Sequence, residues 1–283
     1  MDTVQQFTPL RFRKMHGAGN DFVIVDARDG GLSVTPALAR ALGERHRGVG
    51  FDQLAVLAEV EGADIGVTFW NGDGSQAAAC GNASRCIVAL MLAEGRGPHV
   101  SLAVTGRAEP LTGRRRDDGL ITVDMGEATA DWRAIPLAEA VDTDALPLEG
   151  APVAVGIGNP HCVHFVEDVE AVDLAARGAA VEHHPLFPER TNVQFAQVLS
   201  RDSLRVRVWE RGAGATLASG SSACAVAVAG TRRGLTDARV AVHLPGGTLE
   251  IALEGTRVHM AGPVAEVFEG TLSPAFLDAV LRP

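Results

Sequence analysis

The chain has 283 residues, 46% of them hydrophobic, enough to fill the cores of about two domains without a stabilising metal or disulfide. A formal net charge of −10 argues against a nucleic-acid partner, and the absence of tyrosine removes aromatic platforms on which single strands stack. No apolar stretch approaches the ~20 residues that span a bilayer, and no signal peptide is evident, so a cytoplasmic chain without membrane contact is expected.

Asp21 to Asp26 carries the apolar run Phe22-Val23-Ile24-Val25 and is predicted as a strand. Thr35 followed by Pro36 predicts a helix over Pro36 to Leu42, with Thr35 as N-cap. Gln53 to Val60 and Ile65 to Trp70 are predicted strands leading into the turn Asn71-Gly72-Asp73-Gly74. Asn82 to Leu92 has the length and apolar content of a helix, ended near Gly95 and Gly97. The basic run Arg114-Arg115-Arg116, followed by Asp117 and Asp118, is expected to form an exposed turn. Strands follow at Leu120 to Val123, Val153 to Gly156, His161 to Phe165, Asn192 to Val198 and Leu204 to Trp209. After a turn at Arg211 to Gly214, Ser221 to Arg232 is predicted helical. Val240 to Leu244 and Leu249 to Ala252 form a hairpin across Pro245-Gly246-Gly247.

Three blocks repeat at one offset. Gly17-Ala18-Gly19-Asn20 returns 139 residues later as Gly156-Ile157-Gly158-Asn159, and Phe69-Trp70-Asn71 as Val208-Trp209-Glu210. Ala79-Cys80-Gly81-Asn82 returns at the same spacing as Ala218-Ser219-Gly220-Ser221. A shared offset across separate blocks indicates a duplicated fold. The expected class is α+β: two pseudo-symmetric domains, 1–130 and 131–283, each a curved, mostly antiparallel sheet wrapped around a central helix.

Cys80 and Ser219 stand at the starts of the two expected buried helices. Free N–H groups and a partial positive charge gather there, which eases ionisation of a thiol and can hold a carboxylate without arginine. An amino acid bound at both starts would have its α-carbon beside Cys80 and Ser219, and the same fields would stabilise the carbanion formed when its α-proton leaves. A lone cysteine at an apolar helix is ordinarily a small core residue; the duplication is the reason to treat Cys80 otherwise. Cys86, Cys162 and Cys224 read as core. The cysteines and the scattered histidines lack metal-site spacing, so no metal is expected. Glu210-Arg211 forms either a structural ion pair or a grip on an ammonium and a carboxylate. Ser219 has no base beside it in sequence that would activate it.

Taken together, several blocks resemble the diaminopimelate epimerases. They are His16-Gly17-Ala18-Gly19-Asn20-Asp21-Phe22, Asp52-Gln53, Asn71-Gly72-Asp73-Gly74-Ser75, Cys80-Gly81-Asn82 with Arg85-Cys86, Gly158-Asn159-Pro160-His161, Thr191-Asn192-Val193 and Glu210-Arg211-Gly212. The resemblance runs from about Arg11 to Gly270, and phenazine-biosynthesis isomerases and proline racemases match these blocks less well. It implies racemisation without pyridoxal or any other cofactor, in which one cysteine takes the α-proton and a second returns one on the opposite face. LL- and meso-diaminopimelate would be interconverted on the path to lysine and peptidoglycan, by a cytoplasmic homodimer. Cys80 would be the first of the catalytic pair. Backbone groups at Gly81, Asn82, Gly220 and Ser221 would hold the reacting carboxylate, with Glu210 near its ammonium. Asn20 and Gln53 would line the pocket, and Asn71, Asn159, Asn192 and Arg211 would recognise the distal end.

One departure bears on mechanism. The family pattern Ala-Cys-Gly-Thr-Gly stands here as Ala218-Ser219-Gly220-Ser221-Ser222, and Ala83 replaces a glycine. An introduced Cys-to-Ser replacement, a natural epimerase with serine as a weak acid, a divergent enzyme for another amino acid, and a binding protein without turnover all remain open at this level.

Overall fold

The computed structural model describes residues 10–30, 33–77 and 80–281. The first part of the chain runs β1 (Arg11–Gly17), β2 (Asn20–Asp26), α1 (Pro36–Gly43), β3 (Gln53–Ala58), β4 (Ile65–Asn71), β5 (Gln76–Ala77), α2 (Gly81–Ala93), β6 (His99–Val104), β7 (Leu111–Arg115) and β8 (Ile121–Glu127). The second runs β9 (Val153–Gly156), β10 (Pro160–Phe165), α3 (Leu174–Glu182), β11 (Asn192–Ser200), β12 (Ser203–Glu210), β13 (Gly214–Thr216) and α4 (Gly220–Arg232). It closes with β14 (Arg239–Leu244), β15 (Gly247–Glu254), β16 (Arg257–Gly262), β17 (Ala265–Thr271) and α5 (Pro274–Leu281).

The two units have the same internal wiring. In one, β2 pairs parallel with β3, β3 antiparallel with β4, β4 antiparallel with β5 and parallel with β6, and β6 antiparallel with β7. In the other, β10, β11, β12, β13, β14 and β15 repeat this series, parallel and antiparallel in the same places. The registers keep the sequence offset: Phe22 faces Gln53 as His161 faces Asn192. By packing, described residues 10–17, 21–115 and 264–281 form the first unit, and 18–20 and 116–263 the second. This is not a single cut near residue 130. Strand β17 returns to the first unit because it pairs with β1, and β8 joins the second by pairing with β16.

Each sheet encloses a helix that is buried on nearly every side. Helix α2 hides every residue from Gly81 to Met91, and each of Ile87, Val88 and Met91 contributes about 1.5–3 kcal/mol by leaving water. It ends at Gly95, where φ of 82° lets the chain turn back and the Gly95 and Arg96 N–H groups reach the last carbonyls. Helix α4 buries Ser222 to Gly230. Thr35 caps α1 through Leu38 N, as its sequence indicates.

Several details differ from expectation. Arg114 and Arg115 lie in β7, held by pairing with β6, and Arg116 bonds Glu250 and Asp118. Strand β3 stops at Ala58, and both central helices begin at the glycine, one residue earlier than expected. No described helix is long and apolar enough to cross a membrane.

Candidate active site

In the first unit, Cys80 is the N-cap of α2, with extended backbone (φ −148°, ψ 98°). Its Sγ accepts from the Ala83 N–H at 3.4 Å, and its carbonyl takes the Ser84 hydroxyl at 2.8 Å. The half-buried thiol therefore sits at the positive end of a helix that is itself immobilised by burial. The other cysteines differ in kind. Burial pushes Cys86 up to about 12 and Cys162 still higher, so both stay protonated. Cys224 is fully buried within α4.

Below Cys80, the Asn82 carbonyl oxygen of the side chain accepts from Arg85 Nη1 at 2.7 Å, and both residues are buried. A Cβ at Gly17 in β1 would lie 2.8 Å from Arg85 Nη2, so a larger residue there would push the buried guanidinium aside. Gln53 donates to Asn71 Oδ1 at 3.1 Å across the β3–β4 pair, and Asn71 donates to Ser75 Oγ at 3.0 Å. These two expected pocket residues thus share one hydrogen bond.

A charge cluster supports the same edge. Asp21 accepts from Lys14 and from both Arg45 nitrogens, at 3.1 and 2.9 Å, and the Asp52 N–H reaches its Oδ1 at 3.1 Å. Burial opposes the charge, but hydrogen bonds from Arg45 and Lys14 outweigh it and bring Asp21 down to about 2. The folded value lies below the unfolded one, so this stabilisation is complete above about pH 4 and is lost as pH falls toward 2. Asp21→Asn is expected to cost about 2 kcal/mol at pH 7 and little near pH 2. Urea unfolding at both pH values checks it; an equal cost at both would remove the linkage.

In the second unit, Ser219 is the N-cap of α4 but makes no side-chain bond to the helix. Its hydroxyl instead donates to Glu210 Oε2 at 3.0 Å, and Thr216 donates to Glu210 Oε1 at 2.6 Å. The serine does have a carboxylate beside it, contrary to the sequence expectation, because β12 and β13 fold back antiparallel and return the chain to Glu210.

A buried polar chain runs behind this helix start. Asn159 Oδ1 lies 2.7 Å from His161 Nε2, and Gln194 Nε2 lies 3.0 Å from both His161 Nδ1 and Ser222 Oγ. Burial, reinforced by the Arg211 charge, holds His161 down at about 3, so the ring is neutral. With Gln194 donating to Nδ1, the ring proton sits on Nε2 and goes to Asn159. The positions 139 residues earlier, Phe22, Ala55 and Ala83, are buried and apolar. This network exists under one helix only.

Asn192 Nδ2 donates to the Pro160 carbonyl, and its Oδ1 accepts the Arg211 N–H, both at 3.0 Å. Arg211 is exposed and its Nη1 donates to the Glu189 carbonyl at 3.1 Å. Asn20 is half-buried at the start of β2. The structure thus gathers Cys80, Gly81 and Asn82 in the first unit, and Ser219, Gly220, Ser221 and Glu210 in the second. Thr216, Gln194 and Ser222 were not anticipated. Only Ser222 carried a sequence signal.

Residues 12–130 and 153–267 match the sequence profile described as diaminopimelate epimerase. The chain belongs to the diaminopimelate epimerase family. A relative from Rhodospirillum centenum named diaminopimelate epimerase is 50% identical over 278 residues, covering 96% of this chain and 95% of its own. One of the same name from Erythrobacter litoralis is 48% identical, covering 93% and 97%. Coverage on this scale, in both directions, makes this chain an epimerase of the same build. A hydroxyproline epimerase from Agrobacterium vitis superposes with a TM-score of 0.68 at 14% identity, covering 95% of this chain and 93% of that one. A phenazine biosynthesis protein from Bacillus anthracis gives 0.68 at 13%, covering 94% and 99%. These two show the shared fold.

Proposed function

We propose that this epimerase interconverts LL- and meso-diaminopimelate by moving an α-proton with its own side chains. Cys80 is the thiolate that takes the proton, and Ser219 stands where the family carries its second thiol. The carrying observation is the placement of Cys80: a half-buried thiol at the N-cap of a helix buried on all sides. The helix start lowers the cost of ionising it. Gly81, Asn82, Gly220 and Ser221 supply first-turn N–H groups to the reacting carboxylate, and Glu210 faces its ammonium. Asn20, Gln53, Asn71, Asn159, Asn192 and Arg211 serve the rest of the substrate.

Incubation of both stereoisomers in deuterated water, followed by NMR, tests the reading. Loss of the α-proton signal is expected from the stereocentre served by Cys80; silence from both isomers would sink it.

A second reading is a divergent epimerase for another amino acid. It is favoured by the Gln194–Ser222–His161 network, which accompanies Ser219 and depends on a serine at 222. An isolated replacement at 219 would not require it. The same exchange assay across other amino acids separates the two readings: faster exchange from one of them than from either diaminopimelate isomer would favour the second.

A further inference from the structure

We propose that Glu210 is the proton reservoir of Ser219, so that hydroxyl and carboxylate together replace a second thiol. The inference rests on the epimerase reading above and extends it. Three observations within one unit carry it. The Ser219 hydroxyl is committed to Glu210 Oε2 at 3.0 Å rather than to the helix it caps. The other carboxylate oxygen is fixed by Thr216 at 2.6 Å, which aims the group. At the corresponding places in the first unit stand Asn71 and Ala77, which can neither store a proton nor orient a carboxylate. The helix start that carries serine has an acid beside its cap.

A serine alone cannot alternate as acid and base, since its alkoxide is inaccessible near neutral pH. With Glu210 it need not ionise. When a proton is returned to the α-carbon, Ser219 O–H breaks as the new C–H bond forms. The carboxyl proton of Glu210 moves to Oγ, leaving a hydroxyl and a carboxylate. In the opposite direction Oγ takes the α-proton while its own proton passes to Glu210. The hydroxyl is unchanged at the end, one proton has moved between carbon and carboxylate, and no other reactant is needed.

The relay imposes a particular pH dependence. Cys80 and Glu210 must hold one proton between them, so the epimerisation rate is level between the carboxyl and thiol titrations and falls outside that range. Serine acting without Glu210 would instead give a rate that climbs about tenfold per pH unit up to the thiol range and stays high. The test measures both directions of diaminopimelate epimerisation across this range, for the native chain, Glu210→Gln, Ser219→Cys and the double variant. Glutamine keeps an acceptor for Ser219 but cannot carry the proton. In the native background the loss is expected to reach about 100-fold, with the level profile replaced by a climbing one. In the Ser219→Cys background, where a thiol holds its own proton, the same replacement should cost less than about tenfold, the ammonium contact alone. Equal losses in the two backgrounds, or a climbing profile in the native chain, would overturn the relay. The native profile decides between relay and lone serine even if a variant does not fold. Washout from the Cys80 side, read in the same tubes, separates the failures. Its presence with equal losses discards the relay alone, and its absence discards the epimerase reading and the relay with it.

Discussion

Replacing Cys80 with alanine is expected to reduce α-proton washout from the stereocentre that presents its proton to Cys80 by at least about 10³-fold, toward the upper end of what general acid–base groups contribute. The thiol is the one cysteine sulfur that combines partial exposure with a helix start: Cys86 and Cys162 are buried and held protonated, and Cys224 lies inside α4. The loss should fall on the rate rather than on substrate binding, because the first-turn N–H groups that would hold the carboxylate belong to the backbone and survive the change. Some stability is lost too, since Sγ accepts the Ala83 N–H; an N-cap bond of this kind is worth about 1 kcal/mol. Cys86→Ala is the control, with washout preserved. Washout within about tenfold of native in Cys80→Ala would dismiss Cys80 as the base.

The duplication was legible because it fixes both local pattern and pairing. The 139-residue offset placed Cys80 and Ser219 at equivalent caps, and the registers Phe22–Gln53 and His161–Asn192 carry the same spacing into the sheets. Helices α2 and α4 were readable from their unbroken runs of apolar and small residues. The elements that escaped have no such period. Strand β17 is exposed along most of its length and owes its place to β1, some 250 residues earlier in the chain. Helix α3 has few buried residues and carries Gly178 in its middle, where a Cβ would lie 2.5 Å from the Trp209 ring. Neither hydrophobic alternation nor helix propensity marks an element that is specified by a distant partner or a close approach.

The same limit applies to the site. Glu210 and Ser219 are nine positions apart, and nothing in that spacing shows that the β12–β13 turn joins them. The buried chain from Asn159 to Ser222 draws on three separate segments. Ser222 reads in sequence as one of several departures from a family pattern, whereas in the fold it is the acceptor that fixes the Gln194 amide.

Placing a thiol at position 219 is expected to remove an inequality between the two directions of proton transfer. In the native chain, the stereocentre whose proton meets Cys80 faces a thiol that the helix start makes easier to ionise. Its mirror image must give its proton to Ser219, whose accepting partner is a carboxylate, a class of base about four pKa units weaker than a thiolate. If half of that difference is expressed in the transition state, washout from the second isomer is slower by about 100-fold. Net epimerisation then lags washout from the first isomer by a similar factor, because every inversion must pass through the slower side. Ser219→Cys should bring the two washout rates within about tenfold of each other and raise epimerisation both ways. The buried position suits the exchange, since Ser219 is 4% exposed and sulfur adds little volume at a cap that has no helix bond to lose. NMR of LL- and meso-diaminopimelate in deuterated water gives all four rates in one experiment. Equal and rapid washout of both isomers by the native chain would show that the serine side is already a fully competent base, and the thiol-for-hydroxyl account of the inequality would be wrong.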